Sequence, residues 1–141
     1  MLHHASARIR QATLTYSRIG LETQVLGANP QQLIALLFDG ALAAIQRARL
    51  HLRNGNISDR GLAISKAIDI IESGLKSSLD HKVGGDLATK LVTVYDLAIQ
   101  NLMLANLHAD MQKLELAERL LRNIGEAWKV AAGISNTPAS E

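Results

Sequence analysis

The sequence predicts an all-α protein: an antiparallel up-down four-helix bundle with a short N-terminal helical cap segment. Three observations carry this. Hydrophobic residues make up 48% of the 141-residue chain but aromatics only 3%, so Ala, Leu and Ile carry the apolar load. Ala and Leu favour helices, and only two prolines interrupt the chain, whereas strand-rich domains draw on more β-branched and aromatic side chains. Four long stretches then repeat apolar residues at three- and four-residue steps between recognisable start and stop signals.

A first segment, roughly Ser6 to Arg18, is short and weakly patterned, and Gly20 and Gly27 bracket the connector after it. The second segment is the clearest. Asn29 suits an N-cap, Pro30 the first helical position, and Gln32 completes a capping box. Ile34, Leu37, Ala41, Ile45, Ala48 and Leu52 share one helix face, and Asn54-Gly55-Asn56 ends the run. The third begins near Ser58-Asp59, striped by Ile64, Ile68, Ile71, Leu75 and Leu79, and breaks at Lys82-Val83-Gly84-Gly85. Asp86 is read as the cap of the fourth, striped by Leu87, Leu91, Val94, Ala98, Leu102 and Ala105. Asp110 caps the fifth, striped by Leu114, Ala117, Leu121, Ile124, Trp128 and Ala131. Helices of about 20 residues, near 30 Å long, joined by short loops pack as antiparallel neighbours. The expected organisation is one domain over 1–134, of which 1–28 form a mobile cap segment and connector, followed by a disordered tail at 135–141.

Composition also bounds the function. The absence of cysteine points to a reducing compartment. No apolar run approaches the ~18 residues that span a membrane, and the N-terminus lacks a signal-peptide core. The chain reads as soluble and cytoplasmic, with no membrane insertion. Residues 1–60 hold seven Lys/Arg against three Asp/Glu, and residues 61–141 eight against ten. Arg47, Arg49, Arg53 and Arg60 supply part of the early excess, but a nucleic-acid footprint would be more basic and more concentrated. The five histidines show neither H-E-x-x-H nor Glu-x-x-His spacing, Gly84-Gly85 fits no phosphate-binding pattern, and there is no cysteine nucleophile. No enzymatic role, cofactor or metal is expected. Asp39 and Asp96, each beside an aromatic, read as helix-surface hydrogen-bonding groups.

What stands out is surplus apolar surface. Leu33, Leu36, Phe38, Gly40 and Ala44 widen the stripe of the second segment. Val92, Tyr95, Ile99, Met103 and Leu107 do so on the fourth, and Ala63, Ala67, Ile70 and Gly74 on the third. A broad core face accounts for part of this. One central core has limited room for three widened faces, so the remainder lies under the first segment, at a self-association surface or homodimer contact, or against the amphipathic helices of a partner. Phe38 and Trp128 fit the core.

The motifs are also familiar as a set. Asn29-Pro30-Gln31-Gln32-Leu33-Ile34-Ala35-Leu36-Leu37-Phe38-Asp39-Gly40-Ala41 resembles the opening helix of the flagellin-specific export chaperones, the FliS family. Ser65-Lys66-Ala67-Ile68-Asp69-Ile70-Ile71 with Gly74-Leu75 and Leu79-Asp80 resembles the family's next motif. Gly84-Gly85-Asp86-Leu87-Ala88 with Leu91 and Tyr95-Asp96 resembles the one after it, and Leu104-Ala105-Asn106, Asp110 and Glu126-Ala127-Trp128 complete the order. The resemblance runs from about Tyr16 to Trp128.

It implies a cytoplasmic chaperone that binds the C-terminal region of flagellin, blocks premature polymerisation, and hands the client to the flagellar type III export gate, with a co-chaperone as a further partner. It implies no nucleotide and no metal. Tyr16 matches a family tyrosine expected to dock the first segment, although Thr13 stands where the family has isoleucine, with Leu14 beside it. Leu97 stands where Tyr-Asp-Tyr would place a second tyrosine, which bears on client specificity. The partner-binding candidates are Tyr16, Leu33, Leu36, Phe38, Ala41 and Ala44, with Tyr95, Ile99 and Asn106. The competing reading is a self-associating structural bundle.

Overall fold

The computed structural model describes residues 29–134; the first segment, Tyr16 and the C-terminal tail lie outside the described residues. Four helical elements follow in order: α1 (Pro30–Arg53), α2 (Ile57–Asp69, continued by a π-helical turn Ile70–Lys76), α3 (His81–His108) and α4 (Met111–Ala131). Helix α1 packs on α2 and α4, and α3 packs on α4 and on the π turn, so the chain circles an up-down bundle.

The termini follow the chemistry of their end residues. The Asn29 carboxamide oxygen accepts from the Gln32 N–H at 2.8 Å, and the Gln32 side chain accepts from the Asn29 N–H at 3.0 Å. The Asp110 carboxylate accepts from the Gln112 and Lys113 N–H groups at 3.0 and 3.4 Å. Both caps agree with expectation. Helix α2 starts one residue early, at Ile57, because the Asn56 carbonyl accepts from the Arg60 N–H at 2.9 Å; Asn56 makes no side-chain cap. A helical turn that opens at His81, where the Asp80 carboxylate accepts from the Lys82 N–H at 3.1 Å, precedes the fourth expected segment. The break survives as a kink at Gly85, whose φ of 52° and ψ of −125° leave the helical region.

The core is one cluster drawn from all four helices. It absorbs most of the surplus surface: Leu33, Phe38, Ala44, Ala63, Ala67, Ile70, Gly74 and Tyr95 are all buried. Two glycines show how tightly. A Cβ at Gly74 would lie 2.8 Å from Leu37 Cδ2, and one at Gly125 would lie 3.1 Å from Phe38 Cγ. These residues have no side chain because another helix occupies that space. In α3 the buried row runs through Ala88, Tyr95, Ala98, Leu102 and Ala105, with Leu91 half-buried. Leu87, expected in the core, is exposed because its neighbour Ala88 takes the inward position. Ala131, at the last residue of α4, is exposed as well.

Polar ties fix register along the α1–α4 seam. Glu118, buried in the bundle wall, accepts from Arg49 at 2.6 Å, from Arg122 at 2.9 Å, and from the Gln46 amide. Further along, Lys129 meets Asp39 at 2.9 Å and the Trp128 indole N–H donates to the Gln31 carbonyl at 3.2 Å.

Candidate functional site

Short loops and antiparallel packing bring the start of α2 against the end of α3. Before its π turn, α2 packs far more closely on α1 than on α3. The space left between α2 and α3 is a groove of about 480 Å³ lined by Ile64, Ser65, Ile68, Met103, Leu104, Asn106 and Leu107. Ile64 is buried at its floor, whereas Met103 is 59% and Leu107 74% exposed. Two large apolar side chains left in solvent beside an apolar floor mark this as a candidate interaction surface. The helical spacing of Met103 and Leu107, four residues apart, presents them as one row.

The wall is closed at one end by Arg60. This residue is buried, and its guanidinium donates from Nε to Asn106 Oδ1 and from a terminal nitrogen to the Asn106 carbonyl, both at 3.0 Å. Gly61 lies beside this tie, where an added Cβ would make ordinary contact with the Asn106 amide at 3.8 Å. Beyond the other end, the Lys76 ammonium reaches Asp96 at 2.8 Å and Glu72 at 3.2 Å. The hydrogen bond to Asp96, helped by Glu72 and opposed by desolvation, raises the Lys76 pKa above its ordinary value. Burial pushes the Tyr95 phenol upward too, beside Phe38 at a ring-centroid distance of 6.3 Å. Asp39 and Asp96 therefore act as expected, as surface hydrogen-bonding groups that here link helices.

The candidates named from sequence separate into two sets. Leu33, Phe38, Ala41, Ala44 and Tyr95 lie in the core, so in this conformation they support the bundle and reach a partner only through rearrangement. Leu36 and Ile99 are half-buried against that core, and half-buried Asn106 stands on the groove with its amide oxygen engaged by Arg60. Of the groove residues, the sequence marks Asn106 as a partner candidate and Met103 and Leu107 as surplus apolar surface. Ile64 and Ile68 look like core stripe in sequence, and Arg60 looks like part of a solvated basic face. A signal was present: Arg60, Ile64, Ala67 and Ile71 occupy one helical row, which places a cation on an apolar face.

The fold is a helical bundle that leaves an apolar groove open between α2 and α3. Among the described residues no group of three or more metal-ligating side chains gathers, and no helix is long and apolar enough to cross a membrane. The sequence matches the family described as flagellar protein FliS over residues 12–135. It is 50% identical over 114 residues to the flagellar secretion chaperone FliS of Salmonella typhimurium, covering 81% of this chain and 84% of that protein. It is 42% identical over 119 residues to the flagellar secretion chaperone FliS of Escherichia coli, covering 84% and 88%. It is 36% identical over 118 residues to the flagellar secretion chaperone FliSB of Pseudomonas aeruginosa, covering 84% and 93%. The chain belongs to the FliS family of flagellar chaperones and is not an enzyme.

Proposed function

We propose that this chaperone binds the C-terminal region of flagellin in the cytoplasm, prevents its premature polymerisation, and delivers it to the flagellar type III export apparatus. The observation that carries the reading is the apolar groove between α2 and α3, set in a chain of the FliS family. A segment that folds into amphipathic helices needs an apolar face on which to do so, because burial must offset the entropy lost on ordering. Met103 and Leu107 supply such a face in solvent, and Ile64 and Ile68 continue it inward.

The test is a titration with full-length flagellin and with flagellin lacking its C-terminal region. The chaperone reading expects a one-to-one complex with the first and none with the second. Met103→Glu and Leu107→Glu should weaken the complex at least tenfold with the helical fold unchanged, since both side chains face solvent and each charge would be buried in the complex. Undiminished binding by both variants, or equal binding of truncated flagellin, refutes the site. A homo-oligomer that ignores flagellin would favour the self-association reading instead.

A further inference from the structure

The groove between α2 and α3 is flanked on either side by a polar tie. At the start of α2, Arg60 holds the Asn106 side chain and carbonyl, both at 3.0 Å. At the end of the π turn, Lys76 holds Asp96 at 2.8 Å. The groove residues Ile64, Ile68 and Met103 fall between these ties along the two antiparallel helices. We propose that the two ties are positioning residues for the client, holding α2 and α3 at the separation a bound helix requires, with Lys76–Asp96 as the adjustable member.

Three observations support this. The first part of α2 leans on α1 and only sparsely on α3, whereas the π turn that carries Lys76 packs on both α1 and α3, so the groove is less braced than the rest of the seam. The Arg60 tie is buried, planar and directed at two oxygens of one residue, which fixes geometry as well as distance. The Lys76 tie is more open. Its side chain is 24% exposed and that of Asp96 54%, so water and salt reach it. One tie is permanent and the other responds to ionic strength.

A groove held at the right width spares the client part of the ordering cost of binding, and loss of that pre-organisation appears as faster dissociation. An exposed pair of this kind corresponds to about a two- to fivefold change in an equilibrium constant. Removing the Lys76 charge should therefore raise the client off-rate by about two- to fivefold. Salt should have the same effect on the parent and little further effect on the variant.

The proposal rests on the groove being the client site, and the experiment separates the two. The chain has no cysteine, so Lys66→Cys and Gln100→Cys, at exposed positions on α2 and α3, accept spin labels cleanly. Pulsed electron resonance then reads the α2–α3 separation without client. Lys76→Met and Asp96→Asn should each broaden the distance distribution, the double variant should broaden it no further, and Lys76→Arg should restore it. The same variants are then measured for the off-rate of a peptide from the flagellin C-terminal region. An unchanged distance distribution overturns the proposal. So does a broadened distribution with an unchanged off-rate. A parent protein that fails to bind the peptide refutes the client reading, while the distance measurement still decides whether the ties hold the groove.

Discussion

Glu118→Gln is the sharpest test of how the bundle is held in register. The side chain is 8% exposed and accepts from Arg49, Arg122 and Gln46. The substitution keeps the volume and removes the charge. The Arg122 link lies within one helix and is half in solvent, so its loss costs about 0.3–0.5 kcal/mol. The 2.6 Å bond to Arg49 is different, because Arg49 is largely covered and its Nε has no hydrogen-bond partner. A hydrogen bond to a charged group contributes roughly 1.5–3 kcal/mol net. The amide retains one acceptor oxygen, so the expected total loss is about 2 kcal/mol, or about 6–8 °C in Tm for a domain of this length. Urea unfolding followed by circular dichroism measures it. Arg49→Met alone should cost about as much. The double variant should cost only about 2.5 kcal/mol, because the charges it leaves behind, Glu115 and Arg122, are each nearly half in solvent. A coupling near 1.5 kcal/mol is thus expected. Additive losses, or a Glu118→Gln effect under about 0.5 kcal/mol, would show that the carboxylate is solvated and the seam is held by packing alone.

Other perturbations follow from the same packing. Gly125→Ala gains about 1 kcal/mol of helix propensity but sets a methyl 3.1 Å from Phe38 Cγ, at the base of a buried ring that cannot swing away. Overpacking of ~1–3 kcal/mol wins, and thermal melting should show a net loss of about 1 kcal/mol; a stabilised variant would contradict the close α1–α4 approach. Ala109→Gly should instead stabilise by about 0.5 kcal/mol, because Ala109 has a φ of 50° between α3 and α4 and left-handed strain slightly exceeds the entropy cost of glycine; a destabilised variant in urea unfolding would contradict that turn. The pH dependence has a fixed sign. Tyr95 and Lys76 both have raised values in the folded state, so each keeps its proton where the unfolded chain has lost it. The stability these groups contribute is therefore fully present below about pH 10 and falls as pH rises above it. Tyr95→Phe should flatten that alkaline decline, and ultraviolet titration should show one tyrosine that resists ionisation until the protein unfolds.

The fold was legible because it rests on local rules. Asn29, Pro30 and Gln32 name a helix start through side-chain chemistry that acts within four residues, and the structure forms those bonds. Asp110 does the same for α4. The apolar repeats likewise required helices with an inward face. The register within a face was less legible. The stripe placed Leu87 inward, but after the kink at Gly85 it is Ala88 that packs against the neighbouring helices. Most of the apolar residues read as surplus proved to be core, and only Met103 and Leu107 among them stand in solvent. Gly74 and Gly125 let α1 sit close to the π turn and to α4. That closeness drew Leu33, Phe38, Ala44 and Tyr95 into one core and left Met103 and Leu107 outside.

By itself, the sequence determined the class of fold, the ends of its best-capped helices, and the family to which the chain belongs. Each of these is encoded by short-range spacing or by motif order. Which apolar residues stay in solvent, and that Arg60 and Lys76 link α2 to α3, was decided only by tertiary structure. The reason is geometric: a helix face records that a side chain points away from water, but not whether the neighbour it meets belongs to the same chain.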